Sequence, residues 1–431
     1  MVKNHPFFIL NLQRMNTHEL SKRKALAWAA QFEHCCFLDA HGYADAYGRY
    51  DVLVAAGSEM TLYANAGNAF AQLKTFYEHN RSWMFGLLSY DLKNETEKLH
   101  SAHPDELEFP ELFFFVPEYL IGINNGVLVM IHGNSAALRD IENTDINSKA
   151  IIGDISITQK IDKQRYLNAI EQIRGHINRG DIYELTFCQE FFARNAKLDP
   201  LTTYERLSEV SPSPFSGFLK IGNKYILSAS PERFLCKRGN TLISQPIKGT
   251  ARRGADAAED KLIKTQLRAD RKEQAENVMI VDLVRNDLTK SAVAGSVEVT
   301  ELFGIYSFAQ VHQMISTITC KLDPDLHFVD AIRNTFPMGS MTGAPKIRAM
   351  ELIEEIEQSR RGAYSGAFGY ITPDGDFDLN VVIRSILYNA DKQYLSFQVG
   401  GAITYASDPI REYEECMLKA TALIETLKGP Q

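Results

Sequence analysis

No CxxC pair occurs in this chain, and its six cysteines stand at 35, 36, 188, 236, 320 and 416, two of them adjacent. That spacing suits neither a disulfide framework nor a zinc site, so the expected setting is a reducing cytoplasm without structural zinc. A basic surplus is also missing: 46 Lys and Arg against 54 Asp and Glu give a formal net charge of −8. Nucleic-acid partners demand a basic stripe with interleaved aromatics, so that class is excluded, and any anionic substrate needs a locally basic pocket. Long apolar runs are lacking as well. The most apolar region, residues 112–131, is interrupted by Pro117, Glu118, Asn124 and Asn125, which argues against a membrane span. The opening MVKNHPFFILNLQRM has no small-residue cleavage site of a secretory signal. Neither an internal repeat nor a low-complexity segment is present. Nor is there a phosphate loop or dinucleotide fingerprint, since Thr342-Gly343-Ala344-Pro345-Lys346 lacks the GxxxxGK[ST] spacing.

What remains is an ordinary globular composition over 431 residues, enough to bury a large core. Short strand-like runs at 51–55 and 112–116 mix with helical patterns near 19–31 and 69–78. The polar stretch 133–153 predicts a linker or long loop, dividing the chain into a first region, 1–150, and a second domain, 151–431. In the second, an amphipathic helix over 161–179 leads through Gly180-Asp181 into a strand over 183–192. Further strands are expected at 218–220, 225–228, 366–372, 378–388 and 394–403, and helices at 261–284 and 346–358. Strands follow one another as hairpins more than as βαβ units, which predicts an α+β layered architecture.

Several residues carry candidate chemistry. Lys248, in Gln245-Pro246-Ile247-Lys248-Gly249-Thr250, reads as a lysine in a tight Pro…Gly turn, either a solvated surface charge or a nucleophile. To attack carbon, a lysine amine must first lose its proton, helped by desolvation or by cations such as Arg252 and Arg253. Glu273 with Glu276, and Glu412 with Glu415, lie three residues apart. On a helix that spacing puts both carboxylates of a pair on one face, as solvated faces or, brought together, as oxygen ligands for magnesium. Residues 337–353 read as a glycine-bearing loop feeding a helix, with Thr342 a possible N-cap and Pro345 in the first turn, a start whose amides can cradle a carboxylate. Arg384 is an isolated cation in an apolar alternation, which calls for an internal partner or an anionic ligand. Gly400-Gly401 interrupts a strand pattern, as a bulge or a close approach to ligand. Lys419, one helical turn after Glu415, is placed to neutralise it or to bind substrate. His312 reads as a satisfied core histidine or a catalyst.

Taken together, SASPERF, QPIKGT, KEQAENVMIVDLVRNDL, QVHQMIST, PMGSMTGAPK, RRGAYSGAFGY, VVIRS, QVGGAI and DPIREYEE resemble, in order from about 158 to 425, the catalytic domain of chorismate-utilising enzymes. These are the anthranilate, aminodeoxychorismate, isochorismate and salicylate synthases. The first region, with GYADAYGRYDVLVA and WMFGLLSYDLKNE, resembles an anthranilate-synthase component I-like N-terminal region. The resemblance implies two large, layered, mostly antiparallel sheets flanked by helices. Lysine at 248, where anthranilate synthases typically carry alanine, implies the aminodeoxychorismate branch, acting on chorismate and ammonia in 4-aminobenzoate and folate biosynthesis. It further implies that Lys248 forms a covalent adduct at C2 of chorismate and that Glu232 is the acid/base carboxylate, with His312 near the leaving group. By the same resemblance Glu276 and Glu415, with Glu273 and Glu412, hold Mg2+, while Gly249, Thr250, Tyr364, Arg384, Gly400 and Lys419 hold substrate. Glu184 stands where ammonia-using members usually have glutamine and water-adding members lysine. Relatives can also hold tryptophan between the first region and a Pro-Phe-Ser segment, here Pro214-Phe215-Ser216, although His41 replaces the serine expected before GYAD. No GxCxG nucleophile elbow is present, so a separate glutamine amidotransferase subunit is implied as the ammonia source. The alternatives are anthranilate synthase component I, which eliminates pyruvate, and a non-catalytic tryptophan-binding scaffold of the same fold.

Overall fold

Runs such as Val52–Ala56 are apolar at every position, and in the computed structural model, which describes residues 6–146 and 155–428, both faces of this strand are covered. Successive side chains of a strand point to opposite faces. Leu53 and Ala55 enter one buried cluster, while Val52, Val54 and Ala56 enter another.

The first cluster lies between two sheets of eleven and ten strands, and all named pairings within them are antiparallel. The second covers the outer face of the eleven-stranded sheet beneath helices Lys163–Arg179, Pro200–Val210, Lys346–Ile356 and Pro409–Leu427. This is the α+β architecture of layered antiparallel sheets that the sequence predicts. Both sheets take strands from either side of residue 150: His34–Asp39 pairs with Phe215–Ile221 in one, and Met84–Leu88 with Ala367–Ile371 in the other. The polar stretch includes a short helix, Ala137–Asn143, and residues 147–154 lie outside the described residues.

Local signals set most boundaries. Asp162 caps the helix Lys163–Arg179 by accepting from the Arg165 amide, and Gly180 ends it in the left-handed region. The helix expected over 261–284 is two helices, Ala257–Ala269 and Arg271–Thr289. Asp270 breaks the run because its carboxylate accepts from the Lys272 and Glu273 amides and so starts a new helix. The strand expected over 378–388 is also two. Phe377–Asn380 belongs to the ten-stranded sheet and Ser385–Asn389 to the eleven-stranded one, so residues 381–384 carry the chain from one layer to the other. Arg384 sits in that crossing, at φ 49°, and not within a strand.

One end strand of each sheet meets the same helix. Ile247–Arg252 ends the ten-stranded sheet, and the short strand Gly343–Ala344, paired to Glu184–Ala193, ends the other. Helix Arg271–Thr289 packs against both ends. No helix among the described residues is long and apolar enough to cross a membrane.

Candidate active site

Lys248 lies on the strand Ile247–Arg252, where the sequence predicts a turn. The register against Val311–Lys321 slips between Ile247↔Ile315 and Thr250↔Gln313, so Lys248 and Gly249 form a bulge. Gly249 has φ +91°, and a Cβ there would lie 3.1 Å from Glu273 Oε2 and 3.3 Å from Met314 Cβ. The glycine thus lets the bulge press against the acidic helix, which turns Lys248 toward the carboxylates. Its charge acts on Glu184 from the opposite sheet, Glu232 from the Ser230–Arg233 segment, and Glu415 from the last helix. No ion pair holds its ammonium among the described residues.

Glu232 is buried, and that burial pushes its carboxyl up to about 7, against the opposing charges of Lys248 and Arg384. A carboxyl half-protonated near neutrality is suited to giving or taking a proton. The Arg384 carbonyl accepts from the Ala229 amide, but its guanidinium makes no hydrogen bond or ion pair with a described residue. Burial pulls its proton affinity down, and only the charge of Glu232 counteracts this. A guanidinium in that state is a receptor for a carboxylate.

The two acidic pairs face each other from helices Arg271–Thr289 and Pro409–Leu427. Lys272 feels all four: desolvation lowers its proton affinity, but Glu276, Glu412, Glu273 and Glu415 together raise it. Burial and neighbouring carboxylates raise Glu273 and Glu412. For Glu415 burial is outweighed by Lys419, whose Nζ lies 2.7 Å away, and the net shift is downward. Lys272 approaches Glu276 at 3.6 Å. Hard oxygen donors whose mutual repulsion is relieved by interposed ammonium groups fit a divalent cation chemically. As they stand, the lysines take that charge-balancing place, and no three acidic, His or Cys side chains among the described residues are gathered tightly enough to grip a metal.

The remaining expected residues divide. Lys419 also donates to the Gly400 carbonyl at 3.1 Å, tying the last helix to the strand Tyr394–Ile403. Gly400 is in regular register opposite Cys188, with no bulge; a Cβ there would strike the Phe187 carbonyl at 1.8 Å, so the neighbouring strand dictates the glycine. Gly401 is the one that faces Glu412 and Lys419. Thr250 is exposed on the edge strand. Tyr364 is buried with its hydroxyl 3.3 Å from Cys188 Sγ. His312 is fully buried, its Nε2 2.9 Å from Asp260 and its Nδ1 3.0 Å from Ser307 Oγ, so both ring nitrogens are occupied. Thr342 is no cap: its hydroxyl donates to the Met338 and Gly339 carbonyls, and Pro345 occupies the N-cap of Lys346–Ile356. Lys272, which opens KEQAENVMIVDLVRNDL, also belongs to the site, although a lysine at a helix start carries no signal of it in the sequence.

A separate cavity of about 370 Å3 opens between Tyr43, Asp45, Tyr50, Phe215, Tyr370 and the back of Arg233. It lies between the GYAD stretch and the Pro214-Phe215-Ser216 segment. His41, beside it, takes φ 49° with its amide on Asp39.

Two antiparallel sheets thus set a lysine and a guanidinium, neither ion-paired among the described residues, amid carboxylates, cations left open to an anion. The chain belongs to the chorismate binding enzyme family, which matches residues 33–425. It is 34% identical to anthranilate synthase component 1 of Thermus thermophilus over 359 residues, covering 80% of this chain and 77% of that one. It is likewise 34% identical to aminodeoxychorismate synthase component 1 of Escherichia coli over 356 residues, covering 80% and 76%. Against the aminodeoxychorismate synthase of Streptomyces griseus identity rises to 43% over 267 residues, 62% of this chain and 36% of that longer protein. Among solved structures, anthranilate synthase component I of Streptococcus pneumoniae superposes with a TM-score of 0.77 at 26% identity, over 88% of this chain and 93% of that one. The chain is therefore a chorismate-utilising enzyme.

Proposed function

We propose that the chain aminates chorismate at C4 to 4-amino-4-deoxychorismate, keeping the enolpyruvyl group, with ammonia delivered by a separate glutamine amidotransferase subunit in the cytoplasm. The observation that carries this reading is Lys248, unpaired on a bulged edge strand amid Glu184, Glu232 and Glu415. The named activity of the Escherichia coli and Streptomyces griseus relatives supports it.

In this scheme Lys248 Nζ, as the free amine, bonds to C2, the two ring double bonds shift, and the C4–O bond breaks. Glu232, poised near neutrality, gives its proton to the departing hydroxyl, which leaves as water. The adduct nitrogen, cationic once bonded to C2, returns a proton to Glu232; ammonia then bonds to C4, the double bonds shift back, and the C2–N bond breaks to restore Lys248 as the free amine, the proton shed by the incoming nitrogen going to the departing amine. Splitting one hard substitution into two eases both. Arg384 takes a substrate carboxylate, with Thr250 and Lys419 on the exposed side. Glu232 and not His312 is assigned the proton, because both nitrogens of His312 are already bonded. Glu273, Glu276, Glu412 and Glu415 would hold Mg2+, which when bound supplies a hard positive charge for the carboxylate and the leaving oxygen.

The test is product identity. Purified chain is incubated with chorismate, magnesium and ammonium salt, and products are read by mass spectrometry. The expected product is 4-amino-4-deoxychorismate without pyruvate release. Anthranilate with pyruvate would sink the proposal in favour of anthranilate synthase, and turnover no higher than background would leave a binding scaffold.

A further inference from the structure

Glu184 opens the strand Glu184–Ala193, whose alternation fixes where it points. Leu185, Phe187 and Phe191 enter the outer core, so Glu184, Thr186 and Cys188 face the opposite way. On that inner side Thr186 donates to the Ser340 carbonyl at 2.9 Å, and Cys188 meets Tyr364. Glu184 is 2% exposed, and its Oε2 has no hydrogen-bond partner among the described residues. A buried carboxyl oxygen left without a hydrogen-bond partner costs free energy, which the charge of Lys248 offsets only in part. The backbone there is held in place: Glu184 pairs with Ala344, and the Tyr183 amide donates to the Ala344 carbonyl at 2.6 Å. The charged groups acting on the carboxyl are Lys248, from the edge strand of the other sheet, and Glu276, from helix Arg271–Thr289; the strand Gly343–Ala344 contributes none.

We infer that Glu184 is the base that removes the proton from the Lys248 ammonium, making the amine competent to attack C2. The transfer is balanced within the pair: one N–H bond of Lys248 breaks, one O–H bond forms on Glu184 Oε2, and an ammonium–carboxylate pair becomes an amine and a carboxylic acid. Burial raises the proton affinity of Glu184 above that of an ordinary carboxylate, with Glu276 adding to the rise and Lys248 opposing it, so the acid formed is stabilised. The inference rests on the covalent-lysine reading of the proposed function and adds a residue to it. No ion pair joins Glu184 to Lys248 among the described residues, although the charge of Lys248 acts on the carboxyl, so the proton passes when the two side chains meet.

The experiment isolates the first half-reaction by omitting ammonia. Wild-type chain, Glu184→Gln and Glu184→Asp are mixed with chorismate and magnesium, and the adduct on the residue-248 peptide is timed by mass spectrometry from pH 5 to pH 9. Glu184→Gln keeps the size and polarity but cannot accept the proton. Its adduct is expected to form roughly a hundredfold more slowly, within the usual range for losing a general base. The wild-type rise in rate with pH, as the base ionises, should be lost in Glu184→Gln and partly restored in Glu184→Asp. Thermal unfolding of all three checks that folding is intact. An unchanged adduct rate and pH profile in Glu184→Gln overturns the role of Glu184 and leaves the proposed reaction standing. A wild-type chain that aminates chorismate without ever forming an adduct overturns this role together with the covalent step.

Discussion

Arg233 and Arg384 both lose hydration in the fold, and they meet that cost in opposite ways. The Arg233 guanidinium is bonded to Asp45, Asp378 and Gln245 and lies over the Phe215 ring, 4.7 Å from its centroid. Burial pulls against its charge, but the flanking carboxylates prevail and its proton affinity ends well above the ordinary value. Arg384, with no such partner, ends below it. A guanidinium saturated by its own chain fixes structure, whereas one left unsaturated beside Glu232 is a vacancy for an anion. The same contrast separates the acidic quartet, threaded with Lys272 and Lys419, from the lone carboxyls Glu184 and Glu232.

Arg233 gives the contrast its largest expected effect. Arg233→Met leaves Asp45 without its ion-pair partner and Asp378 with Arg238 alone, and breaking a buried pair from one side costs about 3–5 kcal/mol. Denaturant unfolding should show that loss, and a change below about 1 kcal/mol would remove the distinction between a saturated and an unsaturated arginine. The next effect belongs to Glu232. Its carboxyl is raised in the folded chain from an ordinary 4.5 to about 7, so between these values the unfolded chain binds fewer protons than the folded one. Stability therefore falls as pH rises through that window and levels off above it. Compared at pH 4.5 and pH 7.5, wild type should lose on the order of 3 kcal/mol more than Glu232→Gln. Parallel stability curves for the two proteins would contradict the raised carboxyl.

How far the sequence carries depends on whether a feature is local. Strand Tyr394–Ile403 and helix Lys163–Arg179 are legible almost to the residue, because alternation in one and Asp162 with Gly180 in the other are encoded in neighbouring positions. The break at Asp270 is hidden, since an aspartate inside a helical pattern looks like any exposed residue until its carboxylate is seen capping the second helix. The change of sheet at 381–384 is hidden too, because Val381 and Val382 are as apolar as the strands on either side. Pairings such as Cys35 with Lys220 join distant positions that no local pattern connects. In the site, the three-residue spacing of Glu273 with Glu276 and of Glu412 with Glu415 is readable, whereas the lysines threading them and the two bonds that occupy His312 depend on tertiary packing.

Arg384 and Lys419 sharpen the comparison at its lower end. Arg384→Met removes a charge that no described residue pairs with, so unfolding stability should be unchanged or slightly higher. A charge-assisted bond to a substrate carboxylate is worth about 1.5–3 kcal/mol, and its loss should raise the KM for chorismate by roughly ten- to hundredfold. An unchanged KM would mean that the anion is received elsewhere. Lys419 is a cation of a third kind: its side chain is 37% exposed and its partner Glu415 56% exposed. An ion pair so open to water gains little beyond what solvation already gives each charge. Lys419→Met should therefore cost no more than about 1 kcal/mol in thermal unfolding, and less as salt is added. A loss as large as that of Arg233→Met would instead mean that the bond from Lys419 to the Gly400 carbonyl, and not the ion pair, anchors the last helix to the sheet.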